Sequence, residues 1–228
     1  MNVKEKKLYE FLSSYITDER KHRFEQVLNY RTRHLTIVLE DIYQSHNASA
    51  VLRSCDITGV QDIHIIENKW VYDINPDIVV GSSKWLDLHR YNANEFNTPE
   101  AFDYLHGKGY KIAATCPHQN DYSLDTLPLD QPIAVVFGTE KTGLTDYALE
   151  HSDMYVQIPM HGFTESFNIS VSAALLMYSL TQRLHKSDID WHLSEEEKQE
   201  KRLDWTRKSL NRVRTFENKF YELYPEFK

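Results

Sequence analysis

Three short stretches hold residues whose types and spacing suit chemistry on a bound ligand. The first is Asn47-Ala-Ser-Ala-Val-Leu-Arg53, which follows an apolar run. An arginine one or two turns into a helix, near a strand end, can grip a phosphate through two parallel N–H donors. The plain alternative is a surface arginine with an asparagine near a helix start. The second is Phe137-Gly138-Thr139-Glu140-Lys141-Thr142-Gly143-Leu144, in which two glycines bracket a glutamate. Glycine lets backbone approach a ligand closely, although an ordinary strand-to-helix turn also uses it. The third is IPMHGFTESFNISVSA, residues 158–173, where a polar loop carrying Ser166 and Asn168 runs straight into an apolar segment. A helix holding Ile169, Val171, Ala173, Ala174, Leu175, Leu176 and Met177 is expected to be buried on most faces. Polar groups in the loop at its mouth then need partners. A bound ligand would supply them; so would an internally satisfied loop.

The elements that must position these stretches are legible as alternation. LTIVLED (35–41), DIHIIE (62–67), YKIAATC (110–116), PIAVVFG (132–138) and MYVQIP (154–159) are short β-branched runs bounded by polar residues. Buried parallel strands read this way. Between them, HNASAVLRSCDIT ends at Gly59, a suitable C-terminal cap. Thr98 as N-cap and Pro99 at the first helical position open a helix over 99–109, and 144–151 is a shorter one. Strand–helix alternation predicts an α/β domain with helices on both faces of a mostly parallel sheet. A helical arm is expected over 4–31 and one long charged helix over 194–223, which divides the chain into 1–31, 32–185 and 186–228. Residues 81–92, GSSKWLDLHRYN, either touch a ligand or merely pack.

Composition narrows the chemistry. With 228 residues, 41% hydrophobic, the chain can bury one sizeable core. No apolar run approaches the roughly 18 residues of a membrane span. The opening MNVKEKKLYEF lacks the apolar core of a signal peptide, so a cytoplasmic protein without membrane contact is expected. Cys55 and Cys116 lack metal-ligand spacing, and no metal is expected. There is no G-x-G-x-x-G after the first strand and no P-loop, and only 7 glycines exist. The net charge of −8 is unevenly spread. Residues 1–34 hold 8 Lys/Arg against 5 Asp/Glu and residues 183–228 hold 11 against 10, while 35–182 hold 7 against 19. Basic ends beside an acidic middle permit contact with phosphate, and ordinary solvated helix faces would look the same.

Taken together, the order and spacing of Asn47…Arg53, Phe137–Leu144 and Ile158–Ala173 resemble the TrmH (SpoU) branch of the SPOUT RNA methyltransferases, over roughly residues 20–185. The helical ends are similar to those of its tRNA-specific members. The resemblance implies an α/β sheet whose C-terminal part threads a trefoil knot. It implies S-adenosylmethionine as cofactor, held near Thr115, Gly138, Ile158, Met160 and Phe167. It further implies a homodimer with the apolar helix at the interface, and methyl transfer to the 2′-hydroxyl of the tRNA D-loop guanosine at position 18. In this reading Arg53 and Asn47 act on the substrate, while Glu140, Ser166 and Asn168 fix the loops and Arg53. Whether Arg53 is the base or steadies phosphate and alkoxide stays open. Lys21, Arg23, Arg31, Arg33, Arg207 and Arg212 are the expected tRNA-gripping residues, several of the last group on one face of RKSLNRVR. Two alternatives remain: the same chemistry on ribosomal RNA, and a catalytically silent RNA-binding dimer.

Overall fold

A computed structural model describes residues 1–72, 81–116, 121–139, 141–164 and 166–228. They form two compact units, one of residues 32–191 and one combining 1–31 with 192–228. In the larger unit, strands β1 (Leu35–Glu40), β2 (Asp62–Ile66), β3 (Asp87–Tyr91), β4 (Lys111–Thr115), β5 (Tyr122–Ser123), β6 (Ile133–Phe137) and β7 (Met154–Gln157) make one sheet. Its order is β3-β2-β1-β6-β4-β7-β5, and every pairing among these strands is parallel. Parallel neighbours need crossovers, and helices α3 (Ser45–Thr58), α4 (Thr98–Gly107) and α5 (Asp146–Glu150) lie in these connections, while α6 (Ile169–His185) follows the last strand.

Alternation along the strands explains the layers. Ile37 and Leu39 of β1 face one core with Val135 and Phe137 of β6, and α3 and α6 cover it through Val51, Leu52, Cys55, Ala173, Leu176 and Met177. Val38 and Val136 face the other side, where Ala101, Phe102 and Leu105 of α4 and Ala148 of α5 lie. Strands buried on both faces become the continuous apolar runs seen in the sequence. Gly59 closes α3 at φ 88, as expected of a left-handed C-cap. The start of α4 differs by one residue from expectation: Asn97 is the N-cap and Thr98 already helical. The Thr98 hydroxyl is instead directed to Glu40.

Strand β3 is absent from the sequence reading because DLHRY carries four charged or ionisable side chains. Its polarity is satisfied sideways. Arg33 bridges Asp62 (2.6 Å) at the start of β2 and Asp87 (2.8 Å) at the start of β3. His89 meets the other Asp62 oxygen at 2.8 Å and stacks on His64, ring centroids 4.6 Å apart. Burial, with His89 beside it, lowers the His64 pKa to about 3. Burial pushes the Asp62 carboxyl up, but His89 and Arg33 more than offset it and hold it below its ordinary range. Within residues 81–92 a 3-10 turn, Ser82–Trp85, leads into β3, and the Trp85 carbonyl accepts from Gln61 Nε2.

The smaller unit holds α1 (Val3–Ser13), α2 (Asp18–Leu28), α7 (Glu195–Ser209) and α8 (Val213–Leu223). The expected helical arm is a pair of helices, and the expected single C-terminal helix is a pair as well. The expected arm breaks at residues 14–17, where Thr17 caps α2, and the expected C-terminal helix breaks at Leu210, with Arg212 at φ 58. Capping boxes start α1 (Asn2, Glu5) and α7 (Ser194, Glu197). Leu8, Leu12, Leu203 and Phe220 form the core, and Arg202 grips Glu25 through two bonds of 2.7 Å.

Candidate active site at the C-terminal edge of the sheet

A cavity of about 610 Å³ opens where β4, β6 and β7 end. β6 borders β1, where the chain, having run outward from β1 to β3, crosses to the opposite side of the sheet, and β4 and β7 lie next beyond it. Such a switch point leaves a crevice at the carboxyl ends of the strands. Thr115 ends β4, and its hydroxyl donates to the Val136 carbonyl at 2.8 Å, tying two strand ends together. Gly138 follows β6. The chain then turns back on itself, with Thr139 and Gly143 exchanging both backbone hydrogen bonds at 3.0 Å. A Cβ on Gly138 would collide with the backbone of Gly143 and Leu144, so only glycine fits there. Gly143 itself takes φ 71.

The third stretch closes the cavity. Ile158 and Met160 follow β7, and Ser166, Phe167 and Asn168 line the wall before α6 begins. Asn168 caps that helix, its Oδ1 accepting from the Ser170 N–H (2.9 Å) and hydroxyl (2.6 Å). Its Nδ2 donates to Asn47 Oδ1 at 3.1 Å, 121 residues away. Asn47 is buried in the first turn of α3 and donates in turn to Gln44 Oε1 at 3.1 Å. Thus the first and third stretches are joined by a side-chain hydrogen bond.

The expected cofactor residues Thr115, Gly138, Ile158, Met160 and Phe167 all line one cavity, with Ser166 and Asn168. Asn47 reaches it through Asn168. Arg53 does not line it: six residues after Asn47, it lies about 120° round α3 and is exposed. Glu140 lies outside the described residues. The apolar helix α6 is less enclosed than expected. Val171, Leu175 and Tyr178, spaced at i, i+4 and i+7, are 43%, 43% and 65% exposed and form a stripe on one face.

Sequence reasoning passed over Glu40, which is 1% exposed at the end of β1. One oxygen accepts from the Thr98 and Thr145 hydroxyls (2.5 and 2.9 Å), the other from the Thr145 N–H (2.9 Å). It therefore anchors the residue that follows the Gly138–Leu144 turn. The available signal was a glutamate closing an otherwise apolar strand. Among the described residues no group of His, Cys, Asp and Glu is arranged to hold a metal ion.

The expected RNA-gripping residues divide. Lys21 (paired with Asp18 at 2.9 Å) and Arg23 lie on α2, and Arg212 is exposed between α7 and α8. Arg207 pairs with Glu217 at 2.8 Å. Two are engaged within the fold. Arg31 is 1% exposed, its guanidinium over the Trp205 ring at 5.5 Å. Arg33 is committed to Asp62 and Asp87. Nor do the cations of RKSLNRVR share a helical face, because the helix breaks between Ser209 and Val213.

A family model described as the SpoU rRNA Methylase family matches residues 34–178, the span that holds all three stretches. The chain belongs to this family. It is 47% identical over 207 residues to a tRNA (guanosine(18)-2'-O)-methyltransferase of Borreliella burgdorferi, covering 91% of this chain and 93% of the relative. It is 34% identical over 194 residues to the protein of the same description from Thermus thermophilus, covering 84% and 98%. The crystal structure of the A. aeolicus TrmH/SpoU tRNA modifying enzyme superposes with a TM-score of 0.74 at 27% identity, covering 86% of this chain and 98% of that one. The family match is confined to the larger unit, while the Borreliella relative extends beyond it into the helical ends.

Proposed function

We propose that this chain transfers a methyl group from S-adenosylmethionine to the ribose 2′-hydroxyl of the D-loop guanosine at tRNA position 18. The observation that carries the reading is the convergence of the three stretches on one cavity, in a chain 47% identical to a protein of that activity. The cavity fits the cofactor. Its volume lies within the roughly 300–1,000 Å³ of small-molecule sites. The Gly138 cradle leaves no room for a side chain, and the wall mixes backbone groups with the apolar Ile158, Met160 and Phe167. The expected trefoil knot belongs to the same reading. It is supported by the chain's return from β7 to α6, which packs on α3 while the 138–144 turn lines the same cavity.

The bound cofactor would supply an activated methyl group on a sulfonium. This chain's residues must hold it, align the ribose and manage charge. In our reading Gly138, Ile158 and Met160 hold the cofactor, and the Asn168–Asn47 bond sets the register between its loop and the start of α3. A guanidinium keeps its proton near neutrality, having a pKa above about 12. Arg53 is therefore assigned to steady the substrate phosphate and the developing alkoxide, with the proton leaving to the substrate's own phosphate. Its exposed position, outside the cavity wall, suits a group that meets RNA. Lys21, Arg23 and Arg212 are assigned to the tRNA backbone. With a net charge of −8, such local contacts make binding steeply salt-dependent.

A second copy of the chain is assigned to the Val171–Leu175–Tyr178 stripe, since an apolar helical face this exposed in one copy calls for cover. A cytoplasmic location belongs to the same reading. Among the described residues no helix is long and apolar enough to cross a membrane. The test is methyl transfer from labelled S-adenosylmethionine to bulk tRNA, with the product nucleoside identified after digestion. 2′-O-methylguanosine from the D-loop is expected. Transfer to ribosomal RNA alone would overturn the substrate, and cofactor binding without any transfer would overturn the activity.

A further inference from the structure

A pair of aromatic rings stands out in water on the same edge of the sheet. Tyr43 is 60% exposed and Trp70 47%, yet their rings meet edge to face with centroids 4.6 Å apart. Val71 beside them is 82% exposed. Exposed large aromatics are usually loose; these two are held by a specific device. Asp41 directly follows β1 at φ 55, a left-handed conformation that few non-glycine residues adopt. Its N–H donates to the Ile66 carbonyl at the end of β2, and its Oδ1 accepts from the N–H groups of Asn68, Lys69 and Trp70 at 2.7, 2.8 and 3.3 Å. One buried carboxylate thus pins the loop carrying Trp70 to the strand that leads to Tyr43. Asn47 lies four residues beyond Tyr43.

We infer that Tyr43 and Trp70 form a stacking platform for an unpaired nucleobase of the RNA substrate, beside the reacting nucleotide. The inference rests on the tRNA-methyltransferase reading above. Unstacked bases in RNA loops are recognised on aromatic faces, and stacking tolerates any base because each has a π-face. The local charge suits a nucleic acid. Asp41 is buried with one oxygen accepting from three N–H donors, and Glu67 is buried against Arg90. Lys69 and His46 are exposed around the pair. Continuity with Asn47 places the platform on the segment that opens the active site.

The test uses the full-length protein, purified tRNA and the variants Trp70→Ala, Trp70→Phe and Tyr43→Ala. Both rings are exposed, so unchanged thermal melting is expected for all three. Trp70→Ala should raise KM for tRNA about tenfold, within the range that stacking supplies, leave KM for S-adenosylmethionine unchanged, and be largely rescued by Trp70→Phe. Tryptophan fluorescence should be quenched as tRNA is added, and Trp70→Phe should remove most of that quenching, because Trp191 and Trp205 are buried and Trp85 is only half-buried. Methyl transfer to tRNA with wild-type KM in both alanine variants would overturn the platform alone. So would an altered oligomeric state at unchanged KM, which would make the pair a contact between copies. A wild-type protein that methylates no tRNA would overturn the underlying reading instead.

Discussion

Gly138→Ala is the substitution whose effect can be worked most directly from the structure. The added Cβ would overlap the carbonyl carbon and oxygen of Gly143 and the nitrogen of Leu144. All three are backbone atoms, so no side chain can swing aside. The turn must move, and the bonds at risk are the two that Thr139 and Gly143 exchange at 3.0 Å. A net worth of roughly 0.5–1.5 kcal/mol each makes the loss about 1–3 kcal/mol, concentrated on one wall of the cavity. If the cofactor needs that wall in place, its affinity should fall about 5- to 150-fold. Titration calorimetry with S-adenosylmethionine measures this, and Gly107→Ala, at a helix position with nothing within 4 Å of the added carbon, is the control expected to bind normally. Unchanged affinity in Gly138→Ala, with a normal far-UV spectrum, would refute the assignment of this turn to the cofactor.

Asn168→Ala should cost about 1 kcal/mol in thermal stability through loss of the α6 cap and should weaken cofactor binding. Asn168→Asp keeps the cap acceptor but loses the Nδ2 donor to Asn47, so stability should recover in denaturation while methyl transfer stays low; recovery of both would make the Asn47 bond incidental. Arg53→Ala should leave stability within about 0.5 kcal/mol and cofactor affinity unchanged, yet lower kcat by roughly a hundredfold or more; full activity would remove Arg53 from the reaction. His64 predicts an acid limb. Its pKa of about 3 in the fold lies below the roughly 6.5 of an unfolded histidine, so the unfolded chain binds the extra proton as pH falls. Its contribution is full above about pH 6.5 and declines by about 1.4 kcal/mol per unit below it. Denaturant midpoints between pH 6.5 and 4.5 should show this slope, and His64→Gln should flatten it; an equal slope in the variant would place the acid sensitivity elsewhere.

The sequence by itself determined the strands buried on both faces, because positions with no wet side are filled mainly by apolar residues and write a nearly continuous run. It also determined the three stretches, since residue type and spacing are local properties. It did not reveal β3, whose Asp87, His89 and Arg90 read as loop; their partners Asp62, Arg33 and Glu67 come from other parts of the chain. Nor did it reveal that the expected C-terminal helix is a pair, because a break such as the left-handed Arg212 carries no glycine or proline to announce it. Only the tertiary structure decided which cations are free. Arg31 and Arg33 look like any other basic residues until Trp205 and two aspartates are brought to them. The same holds for the meeting of Asn47 with Asn168 across 121 residues, for Glu40 anchoring the turn, and for a carboxylate holding Tyr43 and Trp70 together. A hydrogen bond needs its partner within about 3 Å, and that distance exists only once parallel crossovers have returned the strand ends to one edge.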